Sequence, residues 1–317
     1  MRNHRVSIPA VLCLFSLQAN PASALNDRSY VTGTNLGAPA NPCTRSQPCQ
    51  TFAQALAQTN AGGEINCIDP GEYGKVAINK SITINCEAAR GGITLATNGF
   101  GIELTTAATD VVIIRGVDLL AVNLNQGQGL ICNSCNIREL HISNVTVRGF
   151  NKGMTFQPVN ISQLVVEGST FANNSVSGII VLPSSPGAAN VHLSRVRADN
   201  NADGITVTGS SSSIGINVNI QDSLITGNTL VGVRASSNAG QAPVNISITG
   251  SQISGNFGPG LQATGSGISN IRVGASMISA NASAINAQNN GQVRSFGNNQ
   301  VNSNGGGETF TGADLLK

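Results

Sequence analysis

From about residue 111 onward, apolar residues recur at fixed offsets, and the whole pattern repeats every 22 to 28 residues. Five asparagines set the phase: Asn174, Asn201, Asn228, Asn256 and Asn281, with Asn304 closing the series. Ten positions before each of the five stands Leu164, Val191, Val218, Ile246 or Ile271, and eight before stands Val166, Leu193, Ile220, Ile248 or Val273. Three before stands Phe171, Ala198, Ile225, Ile253 or Ile278. Two earlier copies lack the Asn but keep the spacing, Val112-Ile114-Val117-Leu119-Val122 and Leu140-Ile142-Val145-Val147-Phe150.

Leu164 and Val166 are two apart, so they share one face of a strand. Ser169 and Phe171 form a second such pair after Gly168, and Ile179 and Val181 a third beyond Asn174. Three short strands per repeat, each turning alternate residues inward, make a three-sided coil. Successive turns of the coil then pair in parallel about 4.8 Å apart, and crossover handedness favours the right-handed form. Stacked Asn amides would bond along a ladder inside the turn. A leucine-rich repeat would require Leu at most core positions, and a left-handed hexapeptide helix a six-residue period. The pattern therefore predicts an all-β chain, a single right-handed parallel β-helix of about nine or ten three-strand rungs.

A stack of rungs exposes apolar core and strand edges at its ends, so both ends need caps. Gln50 to Gln58 carries Phe52, Ala55 and Leu56 at helical spacing, with Thr51 near its start, which predicts a short N-terminal cap helix. Asn298 to Gly307 and a tail with Phe310, Leu315 and Leu316 are expected to close the other end. The expected organisation is a signal peptide over 1–24, an N-terminal segment and cap helix over 25–63, the β-helix over 64–305 and a tail over 306–317.

The signal peptide follows from the extreme N-terminus. Basic Arg2 and Arg5 precede an apolar run from Val6 to Leu17 and a small-residue cleavage signature, Ala22-Ser23-Ala24. The run is too short for a membrane span, which needs about 20 apolar residues. Of 17 basic residues, removal of Arg2 and Arg5 leaves 15, which match the 15 acidic ones. A chain near neutrality does not attract nucleic acid at long range. No transmembrane segment is expected in the mature chain, and the protein should be secreted, periplasmic or at the cell surface.

Six of the seven cysteines lie beyond the signal, an even number suited to disulfides in an exported chain. Ile65-Asn66-Cys67 and Ile84-Asn85-Cys86 repeat one pattern, which places Cys67 under Cys86 in adjacent rungs. Cys43 and Cys49 close the loop before the cap helix. Cys132 and Cys135 form a C-x-x-C pair without the helix that redox motifs use or the two further ligands zinc needs, and so read as a structural disulfide.

The opening segment carries a resemblance. Tyr30-Val31-Thr32-Gly33, Pro48-Cys49-Gln50-Thr51-Phe52 with Ala55-Leu56, Gly62-Gly63-Glu64-Ile65 and Pro70-Gly71-Glu72-Tyr73 resemble the capped start of secreted pectin-lyase-like β-helix proteins. Cap and rungs together extend the resemblance over about residues 30 to 305. It implies the fold, while the superfamily includes lyases, hydrolases, epimerases and adhesins. It also implies that a substrate groove would run along the first strand of each rung.

The outward residues expected there are Ile113 and Arg115, His141 and Ser143, Val165 and Glu167, His192 and Ser194, Asn219 and Gln221, Ser247 and Thr249, and Arg272 and Gly274. A calcium-dependent lyase site needs several carboxylates on neighbouring rungs, and a hydrolase needs two at a set separation. This set offers one, Glu167. The catalytic candidates are Glu167, His141 and His192, with Arg115 near one end; no metal or cofactor is expected. Arg195 and Asp222 hold matching positions on adjacent rungs, which predicts a cross-rung ion pair. The third-strand face, Thr155, Thr206, Arg234, Gln262 and Asn286, reads as polar and nearly uncharged.

On this reading the protein is a noncatalytic exported scaffold whose polar faces bind a polymer, such as a polysaccharide, or a surface protein. The alternative is a polysaccharide-active enzyme, lyase or hydrolase. The absence of Trp, with Tyr30 and Tyr73 both near the cap, weighs against the alternative because carbohydrate grooves commonly use aromatic platforms. A module of a larger assembly would reveal itself by self-association, and the sequence carries no other signal of oligomeric state.

Overall fold

The computed structural model describes residues 25–34, 37–38, 40–123, 126–209 and 214–314. The signal peptide expected over 1–24, and Leu315 and Leu316 of the tail, lie outside the described residues.

The chain winds into a right-handed parallel β-helix with three parallel sheets of 12, 10 and 9 strands. The third sheet has nine strands, so nine rungs are complete and a tenth, Gln292–Ser295 with Gln300–Asn302, holds two strands. The register follows the sequence pattern. Leu140, Leu164, Val191, Val218, Ile246 and Ile271 stack as one buried column of the first sheet. Phe171, Ala198, Ile225, Ile253 and Ile278 do the same in the second sheet, and Ile179, Ile205, Val233, Leu261 and Ile285 in the third. Alternation within each short strand turns these columns inward, and their burial is what stabilises the coil.

Two polar ladders run inside the corners. Between the second and third sheets, Asn174 Nδ2 donates to Asn201 Oδ1 (2.9 Å), and the same step repeats from Asn201 to Asn228, Asn256, Asn281 and Asn304. Each Asn backbone N–H donates to the same oxygen of the next rung. The ladder terminates on Glu308, whose Oε1 accepts from Asn304 Nδ2 at 3.1 Å and from its backbone N–H at 3.2 Å. Gly232 shows why a glycine follows the amide: a Cβ there would lie 2.9 Å from Asn256 Nδ2 and 2.5 Å from the Gly260 carbonyl. A second ladder, not expected from the sequence, lies between the first and second sheets. Ser223, Ser251 and Ser276 each accept a backbone N–H from the preceding rung, and Asn299 continues the series.

The cap helix spans Phe52–Gln58, and Gln50 lies outside it. Thr51 is its N-cap: its Oγ1 accepts from the Gln54 N–H, while Gln54 Oε1 accepts from the Thr51 N–H, both at 3.2 Å. Phe52, Ala55 and Leu56 are buried against the first rung, and the Phe52 and Tyr73 rings lie 5.1 Å apart between centroids. The segment before the helix also joins the solenoid, because Asn26–Val31 pairs in parallel with Thr59–Cys67 as the outermost strand of the first sheet. At the far end Phe310 packs on the core and Gly312–Ala313 pairs with Arg294–Ser295.

Cys67 and Cys86 are bonded across adjacent rungs with Cα atoms 4.9 Å apart, within the range a disulfide spans. Cys43 bonds Cys49 and Cys132 bonds Cys135, and all six residues are buried.

Candidate functional site on the first-sheet face

The first sheet is the longest and turns a nearly flat outer face to solvent. Its register places His141 between Ile113 and Val165, and His192 beyond Val165, so the two imidazoles are two rungs apart. Glu167 stands between Ser143 and Ser194, and Arg115 between Asn85 and Ser143. His141, His192 and Glu167 are therefore not brought together. Among the described residues, His192 and the Arg115 guanidinium make no side-chain hydrogen bond or ion pair.

The partner of His141 is a residue that reading the sequence missed. Glu139 lies two positions earlier on the strand Glu139–Ser143, on the same outward face, and its Oε2 is 3.1 Å from His141 Nε2. Its other oxygen, Oε1, is 3.3 Å from Arg138 Nε. Both Glu139 and His141 are about one-third exposed. The same period of two that places His141 outward also places Glu139 outward, two residues earlier at the start of the strand. The first-sheet face therefore holds carboxylates besides Glu167: Glu139 beside His141, and Glu64 three rungs away in the His141 column, paired with Arg28 and Asn85.

Glu167 is engaged differently from the expected pattern. Arg195 Nη2 lies 3.9 Å from Glu167 Oε1, so the ion pair predicted between Arg195 and Asp222 is replaced by one running to the preceding rung. The reason is local. Arg195 takes the left-handed turn conformation (φ 51°) immediately after Ser194, the register partner of Glu167. Asp222 repeats that turn (φ 49°) one rung on and makes no ion pair among the described residues.

Glu139 and Glu167 do not form a hydrolase pair. Four strand residues and one rung separate them, about 14 Å by strand and rung spacing. Glycosidase carboxylates stand roughly 5 to 9.5 Å apart. What the arrangement can do is hold an imidazole against a carboxylate with guanidinium groups close by. Among the described residues no group of three or more His, Cys, Asp or Glu side chains comes together as a metal site.

The third-sheet face also differs from expectation. Asp203 Oδ2 and Oδ1 each lie 3.0 Å from Arg234, at Nε and Nη2, and Arg234 also donates to Gln262. The face is polar, with a compensated ion pair in place of the lone arginine the sequence suggested.

The backbone matches the pectate lyase Pel9A with a TM-score of 0.69 at 18% identity, over 91% of this chain and 78% of that one. The two share a parallel β-helix backbone. Looser likenesses reach a rhamnogalacturonan lyase (TM-score 0.48, 14% identity, 84% of this chain and 75% of that one). A mannuronan C-5 epimerase A-module, AlgE4 of Azotobacter vinelandii, gives 0.47 at 14% identity over 81% and 90-odd per cent of the two chains, 91% for the epimerase. No protein family matches the sequence, and no curated protein does. At this identity the shared property is the right-handed parallel β-helix fold. Among the described residues no helix is long and apolar enough to cross a membrane.

Proposed function

We propose that this protein is an exported polysaccharide lyase working at the first-sheet face, with His141 as base and Glu139 as its orienting carboxylate. The observation that carries this is the 3.1 Å contact between Glu139 Oε2 and His141 Nε2 on the outward side of the longest sheet. A carboxylate on Nε2 fixes the ring and leaves Nδ1 directed to substrate, the arrangement of an oriented general base. The pectate lyase likeness and the three disulfides support a polysaccharide substrate and an oxidising, extracytoplasmic setting.

The chemistry is β-elimination on a uronate chain. His141 Nδ1 takes the proton from the carbon α to the uronate carboxylate. The electron pair of that C–H bond forms the new C=C bond, and the glycosidic C–O bond breaks. The leaving oxygen takes a proton from the imidazolium or from water. Arg138 and Arg115 flank His141, the first as its sequence neighbour on Glu139 and the second one rung away, and would offset charge building on the substrate carboxylate. The separation of Glu139 and Glu167 disfavours the hydrolytic version of the enzyme reading.

The test is appearance of unsaturated, ultraviolet-absorbing ends from uronic-acid polysaccharides. Turnover should fall at least about 100-fold in His141→Ala and less in Glu139→Gln, with no change in Glu167→Gln. A folded protein that yields no unsaturated ends from any uronate polymer would return the noncatalytic scaffold as the better reading.

A further inference from the structure

A trough of about 500 Å³ lies away from the first-sheet face, along the corner between the first and second sheets. It crosses four rungs, those of the strands Leu224–Thr226, Gln252–Ser254, Met277–Ser279 and Gln300–Asn302. Its cause is a change in side-chain size along one column. Upstream, glycines at the left-handed turn position, Gly116 and Gly168, alternate with Asn144 and Arg195; here two small residues, Gly250 and Ala275, follow one another, so the corner sinks.

We propose that this trough binds an extended, uncharged glycan chain lying parallel to the solenoid axis. Leu224, Gln252, Met277 and Gln300 stack as one register column, so apolar and amide side chains alternate along the trough; Leu224 and Met277, the latter 38% exposed, suit the C–H face of a pyranose ring. The amides of Gln252 and Gln300, interleaved with them, and the Asp222 carboxylate supply donors and acceptors for ring hydroxyls. Gln252 is already oriented, because its Nε2 donates to Ser254 Oγ at 3.0 Å and leaves its oxygen open. Asp222 is the trough's charged group, with no ion pair among the described residues and no lysine or arginine in the lining. A polyuronate would bring its carboxylates against that uncompensated charge, while a neutral chain would not. Apolar and amide groups alternate from rung to rung, each step about 4.8 Å, close to the advance of one ring in an extended β-linked glycan. Four rungs therefore offer successive sugars an apolar group and an amide in turn.

The site is independent of the lyase reading: it lies on another face and shares no residue with Glu139, His141 or Arg138. It would hold the protein on a neutral wall polymer whether or not the first-sheet face turns over a uronate.

Titration calorimetry of the purified protein with cellohexaose, xylohexaose, mannohexaose and hexagalacturonate tests this. At least one neutral hexasaccharide should bind with a Kd below about 1 mM, near −4.1 kcal/mol. Gln252→Ala and Gln300→Ala should each weaken it at least tenfold with the circular dichroism spectrum unchanged, and Gln252→Ser provides a second polar variant should Gln252→Ala disturb folding. Glu139→Gln should leave it unaltered, and hexagalacturonate should not displace it. Binding of every neutral hexasaccharide weaker than about 1 mM, or binding indifferent to both glutamines, or displacement by hexagalacturonate, would overturn the proposal. Binding of a neutral hexasaccharide by an unaltered protein that yields no unsaturated ends from any uronate polymer would strike the first-sheet proposal alone.

Discussion

Two asparagine series run through the C-terminal half of the solenoid with the same spacing and opposite surroundings. The interior series, Asn201, Asn228, Asn256 and Asn281, is at most 3% exposed, and every step is closed by an amide–amide bond. The exterior series, Asn190, Asn217, Asn245 and Asn270, stands eleven residues earlier in each rung on the outer face of the first sheet. Only alternate steps are closed there, Asn217 to Asn190 at 3.3 Å and Asn270 to Asn245 at 3.2 Å. The interior amide has no water to turn to, so its partners are obligatory; the exterior amide can trade a neighbour for solvent at little cost. Identical side chains at identical period thus do structural work in one column and leave hydrogen-bonding capacity free in the other.

Breaking the interior series should have the largest effect. Asn228→Ala removes the acceptor for the Asn201 backbone N–H and Nδ2, and the donor to the Ala198 carbonyl and Asn256. About 3 kcal/mol should be lost in urea unfolding, since buried groups are left without partners. Asn217→Ala, the exterior counterpart, should cost less than about 0.5 kcal/mol. Equal losses from the two variants would mean that burial does not decide the role of these amides.

The two ends of the solenoid extend the contrast between buried and exposed polar groups to pH. Burial tends to raise the Asp69 carboxyl, but hydrogen bonds from the Thr32 hydroxyl, the Gly33 N–H and the Tyr73 hydroxyl outweigh it and hold it below the usual range. Asp314 is held low by hydrogen bonding to Arg294 and then to Arg272, which fastens the C-terminal strand. Both carboxyls titrate lower folded than unfolded, so their stabilisation is complete above about pH 4 and is lost as pH falls through the folded values. Amide exchange at Thr32–Gly33 and at Gly312–Ala313 should therefore lose protection on acidification before the central rungs do. Uniform loss along the chain would show that the ends are not held by these carboxyls.

The smallest effect is expected at Arg195. Its 3.9 Å contact with Glu167 joins two largely exposed side chains, so Arg195→Ala should alter stability by less than about 1 kcal/mol in the same urea assay. A larger loss would assign the Arg195–Glu167 contact a structural role that its exposure does not suggest.

Much of the fold was legible because the signals are local and repeated. Val191 and Leu193 share a face through the period of two, Gly232 follows Asn228 because the amide needs the space, and Cys67 and Cys86 end matching tripeptides. The Ser223–Ser251–Ser276 ladder carried an equally regular signal and was overlooked, as was the exterior Asn series. Arg195 could not be paired correctly from sequence. Its choice between Glu167 and Asp222 depends on a left-handed turn and on which rung its side chain lies across.

The sequence by itself determined the three-sided rung, the inward columns, the buried Asn ladder and the seating of the cap helix on Thr51. These follow from alternation, burial and backbone geometry, which each repeat states anew. Only the tertiary structure decided that Glu139 rather than Glu167 meets His141, that Arg234 is neutralised by Asp203, and that Gly250 and Ala275 open a trough at one corner. Such contacts depend on how far a particular side chain reaches along and across rungs, and the repeat, which fixes backbone positions, leaves that reach unspecified.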